Sequence, residues 1–305
     1  MTDLILHHYP MSPFSEKVRV MLGYTQQPWL SALTREMPPR PLMEQLAGGY
    51  RKIPVAQIGA DIFCDSRTIA AEIAARSGRP ELALENCSAE VQAYVAKVDL
   101  DVFFACILAG GSKKLNQKVR QTMSWLDIAR FFWDRINMGR KASVKIVGLR
   151  EARPKALEHI AQVEQRLQQD FLFGPQPNHA DFSTYHSLWF IRDLGESRMI
   201  NSFPKTIAWM DRMKAFGHGM CREIDPQQAL EIAKNSTPRP IAAEHCTDPL
   251  IGKKVRIAPA DYGQVPSEGT LAGSTPAQWI LAREVKGLGT LHVHFPKPGF
   301  MLTPV

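Results

Sequence analysis

The sequence has few cysteines, and they form no recognisable pattern. The five residues include no C-x-x-C pair and no spacing typical of metal ligands. An odd number of cysteines without the spacing of a disulfide framework is typical of proteins in a reducing compartment. We therefore expect a cytoplasmic protein that binds no metal.

Long apolar runs and concentrated positive charge are also missing. No run approaches the roughly 18 to 20 apolar residues of a membrane-spanning helix, and residues 1–3 do not begin a signal peptide. Lys and Arg total 37 against 30 Asp and Glu, a net charge of +7, but the basic residues are scattered. We therefore expect no membrane partner and no nucleic-acid partner.

The first eighty residues alternate between strand and helix patterns. Residues 4–6 form a short apolar run typical of a buried strand, and residues 17–22 continue with helical spacing. Ser12 is a favoured N-cap, and Pro13 suits a first helical turn. A hydroxyl at that position lies at a helix N-terminus, where the free backbone N–H groups favour binding of an anion. Taken alone, such a serine is more often only a helix cap.

Two further segments are spaced so that they can meet Ser12. Ile53 precedes Pro54, which stands where a proline enters a strand, and an X–Pro bond there can be cis. Asp65 and Ser66 follow the next short strand and open a second helix, which supplies a second set of free amides. The three segments can converge on one small anionic thiol.

The order Ser-Pro-Phe-Ser, Lys-Ile-Pro-Val and Asp-Ser-x-x-Ile resembles the thioredoxin-like domain of glutathione transferases, especially their serine-type members. Residues 171–182 are similar to the capping-box segment of the family's helical domain, with Asn178 as the N-cap and Asp181 returning to its amide. The resemblance implies a thioredoxin-like domain at residues 1–80 and an all-helical domain at residues 88–235. It also implies a homodimer.

The resemblance implies glutathione as co-substrate, extended across the sheet edge. Its cysteine would pair with the backbone of Ile53 before Pro54. Its γ-glutamyl carboxylate would lie at the helix opened by Asp65 and Ser66, and Lys52 would lie near its glycine end. No metal takes part.

The sulfur of that thiol would point at Ser12. A free thiol has a pKa of about 8.5, and a donating hydroxyl beside a helix N-terminus favours the reactive thiolate. Ser12 would then stabilise the nucleophile without being one. Tyr9 and Ser15 compete for this role, although we expect Ser15 to be buried. Cys64 lies inside a strand and is a poor candidate nucleophile.

Apolar residues recur with helical spacing from residue 88 to about 216, which predicts a bundle. A hydrophobic co-substrate needs an apolar wall, and the candidates are Phe104, Trp125 and Phe132.

The resemblance ends before residues 246–305. Short alternating runs separated by Gly and Pro predict small antiparallel strands. We expect a compact, barrel-like all-β domain that leans on the helical domain. His292 and His294 face one side of a strand, and without further ligands at a recognisable spacing we interpret them as solvent-facing.

Two classes of function stay open, because fold alone cannot separate them. The first is an enzyme that conjugates glutathione to a small hydrophobic electrophile. The second is a non-catalytic glutathione-binding or partner-binding protein on the same scaffold, which would use the C-terminal β domain.

Overall fold

The computed structural model describes residues 3–122, 124–126, 128, 130, 133–134 and 147–305. Within that part of the chain, no helix has the length and apolar character needed to cross a membrane.

The N-terminal domain has the thioredoxin-like arrangement expected from the sequence. Its elements are β1 (Leu4–His8), α1 (Pro13–Thr25), β2 (Trp29–Leu33), α2 (Pro41–Ala47), β3 (Val55–Ile58), β4 (Asp61–Cys64) and α3 (Ser66–Ser77). Strand β1 pairs in parallel with β2 and antiparallel with β3, which pairs antiparallel with β4. Leu4 and Leu6 pack in the main core, whereas Ile5 faces a separate apolar cluster on the other side. Both faces of β1 are therefore covered, as its continuous apolar run predicts.

The second domain is helical, as predicted. Its helices are α4 (Ala89–Lys97), α5 (Phe103–Ala109), α6 (Lys113–Thr122), α7 (Leu149–Arg166), α8 (His179–Trp189) and α9 (Pro204–Ala215). The predicted capping box opens α8: Asn178 accepts from the N–H of Ala180, and Asp181 accepts from the N–H of Asn178 at 3.0 Å. Asp181 also accepts from the indole of Trp209 at 3.0 Å. The cap therefore fixes α8 against α9 as well as starting it.

The C-terminal part begins with β5 (Cys221–Ile224) and α10 (Pro226–Lys234). The strands predicted for residues 246–305, here called the extension, are present. They are β6 (Lys254–Pro259), β7 (Ser267–Ser274), β8 (Gln278–Val285), β9 (Gly289–Pro296) and β10 (Phe300–Pro304). The domain boundaries at residues 80, 88, 235 and 246 stay predictions.

The extension continues the sheet of the N-terminal domain. All strands form one ten-stranded sheet in the order β10-β6-β7-β8-β9-β4-β3-β1-β2-β5. Strand β9 lies parallel to β4, with Ile62 opposite Val293. The expectation that the extension leans mainly on the helical domain is therefore wrong. The physical reason is that β4 would otherwise end the sheet with unpaired backbone groups, which β9 satisfies.

The interpretation of His294 as solvent-facing is also wrong. Its side chain is 9% exposed, its Nε2 donates to Asp61 Oδ1 at 2.8 Å, and its ring stacks on Phe63 at 4.5 Å. The backbone N–H of Arg239 donates to the other Asp61 oxygen at 2.9 Å. His292 is half-buried on the same face. Strand alternation predicts that the two histidines share a face, but that face is turned toward a buried carboxylate.

Candidate functional site

A cleft of about 610 Å³ lies where the thioredoxin-like domain, the helical domain and the extension meet. All five residues predicted to bind glutathione line one wall: Lys52, Ile53, Pro54, Asp65 and Ser66. The helical domain contributes an opposite wall that includes Val95, Ala96, Asp99 and Leu100, and the extension contributes Asp261, Tyr262 and residues 298–299. The structure thus brings together the residues that the sequence pattern places apart.

The segment before β3 leaves backbone groups open to the cleft. The bond between Ile53 and Pro54 is cis. Within the described residues, neither the N–H nor the C=O of Ile53 forms a hydrogen bond. Because an extended peptide pairs with such groups as a strand does, this position is suited to a peptide ligand.

The start of α3 contributes to the same wall. Asp65 is its N-cap and accepts from the N–H of Arg67 at 2.9 Å, with a φ of 80°. That left-handed conformation is costly for a residue other than glycine and is often found at ligand sites. Burial raises the pKa of the Asp65 carboxyl, and the charge of Lys52 opposes that rise. Ser66 follows as the first residue of the helix.

Ser12 caps α1 as predicted, and its Oγ accepts from the N–H of Ser15 at 3.2 Å. Its side chain is buried, and Phe14, not Ser12, lines the cleft. The hydroxyl hydrogen of Ser12 has no acceptor among the described residues. Arg19 fixes the preceding loop by donating to the carbonyls of Tyr9 and Pro10 at 3.3 and 2.9 Å. Ser12 therefore follows a loop that Arg19 holds in place and precedes the cleft residue Phe14 by two positions.

Comparison with known proteins now bears on this geometry. The Glutathione S-transferase N-terminal domain family matches residues 6–81, and the Glutathione S-transferase C-terminal domain family matches residues 120–216. A GST-like protein from Pseudomonas syringae is 32% identical, and the match covers 100% of both chains with a TM-score of 0.76. The chain belongs to the glutathione transferase family. The match covers the extension as well as the two standard domains of the family.

Two other solved structures are less similar to this chain. A glutathione transferase family member from Pseudomonas fluorescens pf-5, with two glutathione bound, is 16% identical over 70% of this chain and 89% of its own, with a TM-score of 0.49. A glutathione S-transferase from Rhodospirillum rubrum F11 is 17% identical over 78% and 94%, with a TM-score of 0.47. A comparison with curated proteins gives no match.

Ser15 and Tyr9, the two hydroxyl residues weighed against Ser12, have different surroundings. Ser15 is fully buried, as expected, and its Oγ has no partner among the described residues. Tyr9 is half-buried. Burial raises the pKa of the Cys64 thiol well above its usual value, so Cys64 is not poised to act as a nucleophile.

Neither described residue of the predicted co-substrate wall is among those that line the cleft. The ring of Phe104 lies 5.3 Å from that of Tyr262, which does line it. Trp125 is 72% exposed and is not among the residues that line the cleft. Phe132 lies outside the described residues. Sequence reasoning missed Val95 and Leu100, whose helical spacing indicates a buried face but not which face borders the cleft.

Charged and polar groups that sequence reasoning also missed lie in and behind the cleft wall. The buried Lys17 of α1 pairs with Asp99 at 2.8 Å, and Ser183 of α8 donates to the same Asp99 oxygen at 3.3 Å. His179 donates from Nδ1 to the carbonyl of Leu82 at 2.7 Å, and burial lowers its pKa to about 3. These contacts tie the helical domain to α1 and to the segment that follows α3.

Lys52 has partners that no local pattern indicates. Its Nζ lies 2.7 Å from Asp261 and 3.9 Å from the centre of the Tyr262 ring. Both partners come from the loop between β6 and β7. In the described part of the transferase, no cluster of three His, Cys, Asp or Glu residues could hold a metal ion.

Proposed function

We propose that this protein binds glutathione in the cleft and conjugates it, through its thiolate sulfur, to a small hydrophobic electrophile. The observation that carries the proposal is the cleft itself, which sets the five predicted glutathione-binding residues opposite a helical wall that includes Val95 and Leu100. Membership of the glutathione transferase family supports the same reading.

The γ-glutamyl carboxylate of glutathione would lie at the start of α3, where Ser66 offers its hydroxyl and the first turn offers free N–H groups. The cysteine of glutathione would pair with the open backbone groups of Ile53. Lys52 would lie near the glycine end. The sulfur would then lie above the start of α1, close to Phe14 and Ser12.

Ser12 would donate its hydroxyl hydrogen to the thiolate. The thiol proton passes to solvent, and the sulfur lone pair forms a C–S bond to the electrophilic carbon. With an activated halide, the halide leaves with the bonding pair; with an unsaturated carbonyl, the double bond takes up the pair and then a proton. Each unit by which the site lowers the thiol pKa corresponds to about 1.4 kcal/mol of preference for the thiolate.

The test follows the thiolate absorbance of bound glutathione against pH in the wild type and in Ser12→Ala. We expect a lowered thiol pKa in the wild type that returns toward about 8.5 in the variant. The rate of conjugation to an activated aryl chloride should fall about tenfold or more. Ser88→Ala is the matched control, since Ser88 also caps a helix by accepting a backbone N–H, at 3.3 Å.

The outcomes of this test distinguish between the possible roles of Ser12. An equal thiol pKa in Ser12→Ala and the wild type would leave Ser12 as a helix cap. Absence of glutathione binding would contradict the proposed function as a whole.

A non-catalytic glutathione-binding protein is the second candidate. The burial of Ser12 and its absence from the cleft lining favour it. Glutathione binding with an unshifted thiol pKa and no conjugation would select this alternative.

We also propose that the protein is a cytoplasmic homodimer. The five cysteines are all free, which suits a reducing compartment. Because β9 already covers the edge of β4, a second copy would dock on another surface. Sedimentation of the purified protein tests the dimer, and a monomer at micromolar concentration would contradict it.

A further inference from the structure

The extension closes the cleft at the end where glycine of the bound thiol would lie. Lys52 Nζ lies 2.7 and 2.9 Å from the two carboxylate oxygens of Asp261, and the Tyr262 ring covers it at 3.9 Å. An ammonium group has three hydrogens to donate. Asp261 and the ring of Tyr262 therefore already engage most of the hydrogen-bonding capacity of the Lys52 ammonium group, and little of it is left for a ligand.

The loop that carries this carboxylate is held in place from both sides. Tyr262 packs edge-on against Phe104 of α5, with ring centres 5.3 Å apart. Gln264 donates to the carbonyl of Ala260 at 3.0 Å. Asp261 thus reaches Lys52 from a fixed position and is part of the cleft wall, with 24% of its side chain exposed.

Two other cations in or beside the cleft wall also have carboxylate partners of their own. Arg51 pairs with Asp134 at 2.7 Å, and Arg67, which lines the cleft, pairs with Glu85. Among the described lining residues, no Lys or Arg lacks a carboxylate partner. A free carboxylate arriving here would have to compete with an internal one.

The local charge is unfavourable to a further anion. Asp65 and Asp261 both lie near Lys52, so this group of three carries two carboxylates and one ammonium. Burial is the largest cause that raises the pKa of Asp65; Lys52 lowers that pKa and Asp261 raises it. The charge of Asp261 therefore acts on Asp65 at the start of α3.

We propose that Asp261 makes the cleft select a glutathione-type thiol whose glycine carboxyl is blocked as an amide over the free acid. This inference rests on the proposed function. The amide adds no negative charge beside Asp261, and its N–H hydrogens can donate to that carboxylate, whereas a free carboxylate is repelled by it.

The experiment measures the affinities of glutathione and of its glycine amide by calorimetry, for the wild type and for Asp261→Asn. The amide should bind the wild type about tenfold more tightly than glutathione, and Asp261→Asn should reverse the preference, because Lys52 is then free for a carboxylate. Glu268→Gln is the matched control. It removes a carboxylate from an ion pair with Arg256 on the same extension, away from the cleft, and should leave the ratio of affinities unchanged.

The outcomes separate this inference from the proposed function. If neither thiol binds the wild type, the proposed function fails. If both bind and the wild type prefers the free acid or neither form, the inference is overturned while the proposed function stands. A preference for the amide that persists in Asp261→Asn also overturns it. If Asp261→Asn does not fold, the ratio of the wild-type affinities for the amide and for glutathione is enough to test the inference.

Discussion

The extension meets the thioredoxin-like domain at two kinds of contact, and the two differ in physical character. At β4 the contact is a backbone ladder with the Asp61–His294 pair buried behind it. At the cleft it is a partly exposed pair between Lys52 and Asp261. A buried pair cannot exchange its partner for water or ligand without a large cost, whereas a partly exposed pair can. The first contact therefore holds the extension in place, and under the proposal made above the second one contacts the ligand.

The extension also meets the thioredoxin-like domain through backbone beside α2, where Gly49 packs against Pro266 in the loop between β6 and β7. A Cβ atom at Gly49 would lie 2.0 Å from the carbonyl oxygen of Pro266. We expect Gly49→Ala to lower the free energy of unfolding by about 3 kcal/mol or more, the largest effect considered, because backbone must shift. Urea unfolding measures it. Gly148→Ala is the control, since no atom lies within 4 Å of its added Cβ; an equal effect in both variants would contradict the close contact.

We expect the second largest loss of stability when the buried pair of Asp61 and His294 is broken. Asp61→Ala removes the acceptor for His294 Nε2 and for the backbone N–H of Arg239, and leaves the His294 donor buried without a partner. We expect a loss of about 2 to 3 kcal/mol in the free energy of unfolding. Asp101→Ala breaks only an exposed pair with Lys155 and should cost less than about 1 kcal/mol. Similar losses in the two variants would remove the distinction between buried and exposed contacts.

The same pair predicts a pH dependence of stability. Burial raises the pKa of Asp61, but the hydrogen bonds from His294 and from the Arg239 N–H outweigh it, so the folded pKa lies below the unfolded one. The stability that Asp61 contributes is therefore present above the unfolded pKa of about 3.9 and is lost as pH falls through the folded pKa. Unfolding curves of the wild type and Asp61→Asn should converge as pH falls from 6 to 3. A constant difference would mean that Asp61 does not titrate between the two states.

The contact between Lys52 and Asp261 at the cleft should contribute least to stability. Asp261→Asn should change the free energy of unfolding by less than about 1 kcal/mol, because the pair with Lys52 is partly solvated. Thermal unfolding without ligand measures this. A loss as large as that of Asp61→Ala would show that both contacts are structural.

Local features of this chain could be predicted from the sequence, and pairings between distant segments could not. The caps at Ser12 and Asn178 follow from side chains within three residues of the backbone groups they bind. The five glutathione-site candidates also lie in short motifs.

By contrast, His294 meets Asp61 across 233 positions and Lys52 meets Asp261 across 209. Alternation along a strand indicates which side chains share a face, but it does not indicate what covers that face. The partners of both contacts therefore needed the structure.

The position of β4 within the sheet has a consequence for synthesis on the ribosome. Residues 61–64 leave the exit tunnel early, but their neighbour on one side comes from residues 289–296, near the end of the described chain. Until that segment emerges, the nascent chain carries an open strand edge of the kind that pairs with other chains. Release of an incomplete product would thus expose a site for aggregation in a domain whose own residues are all present.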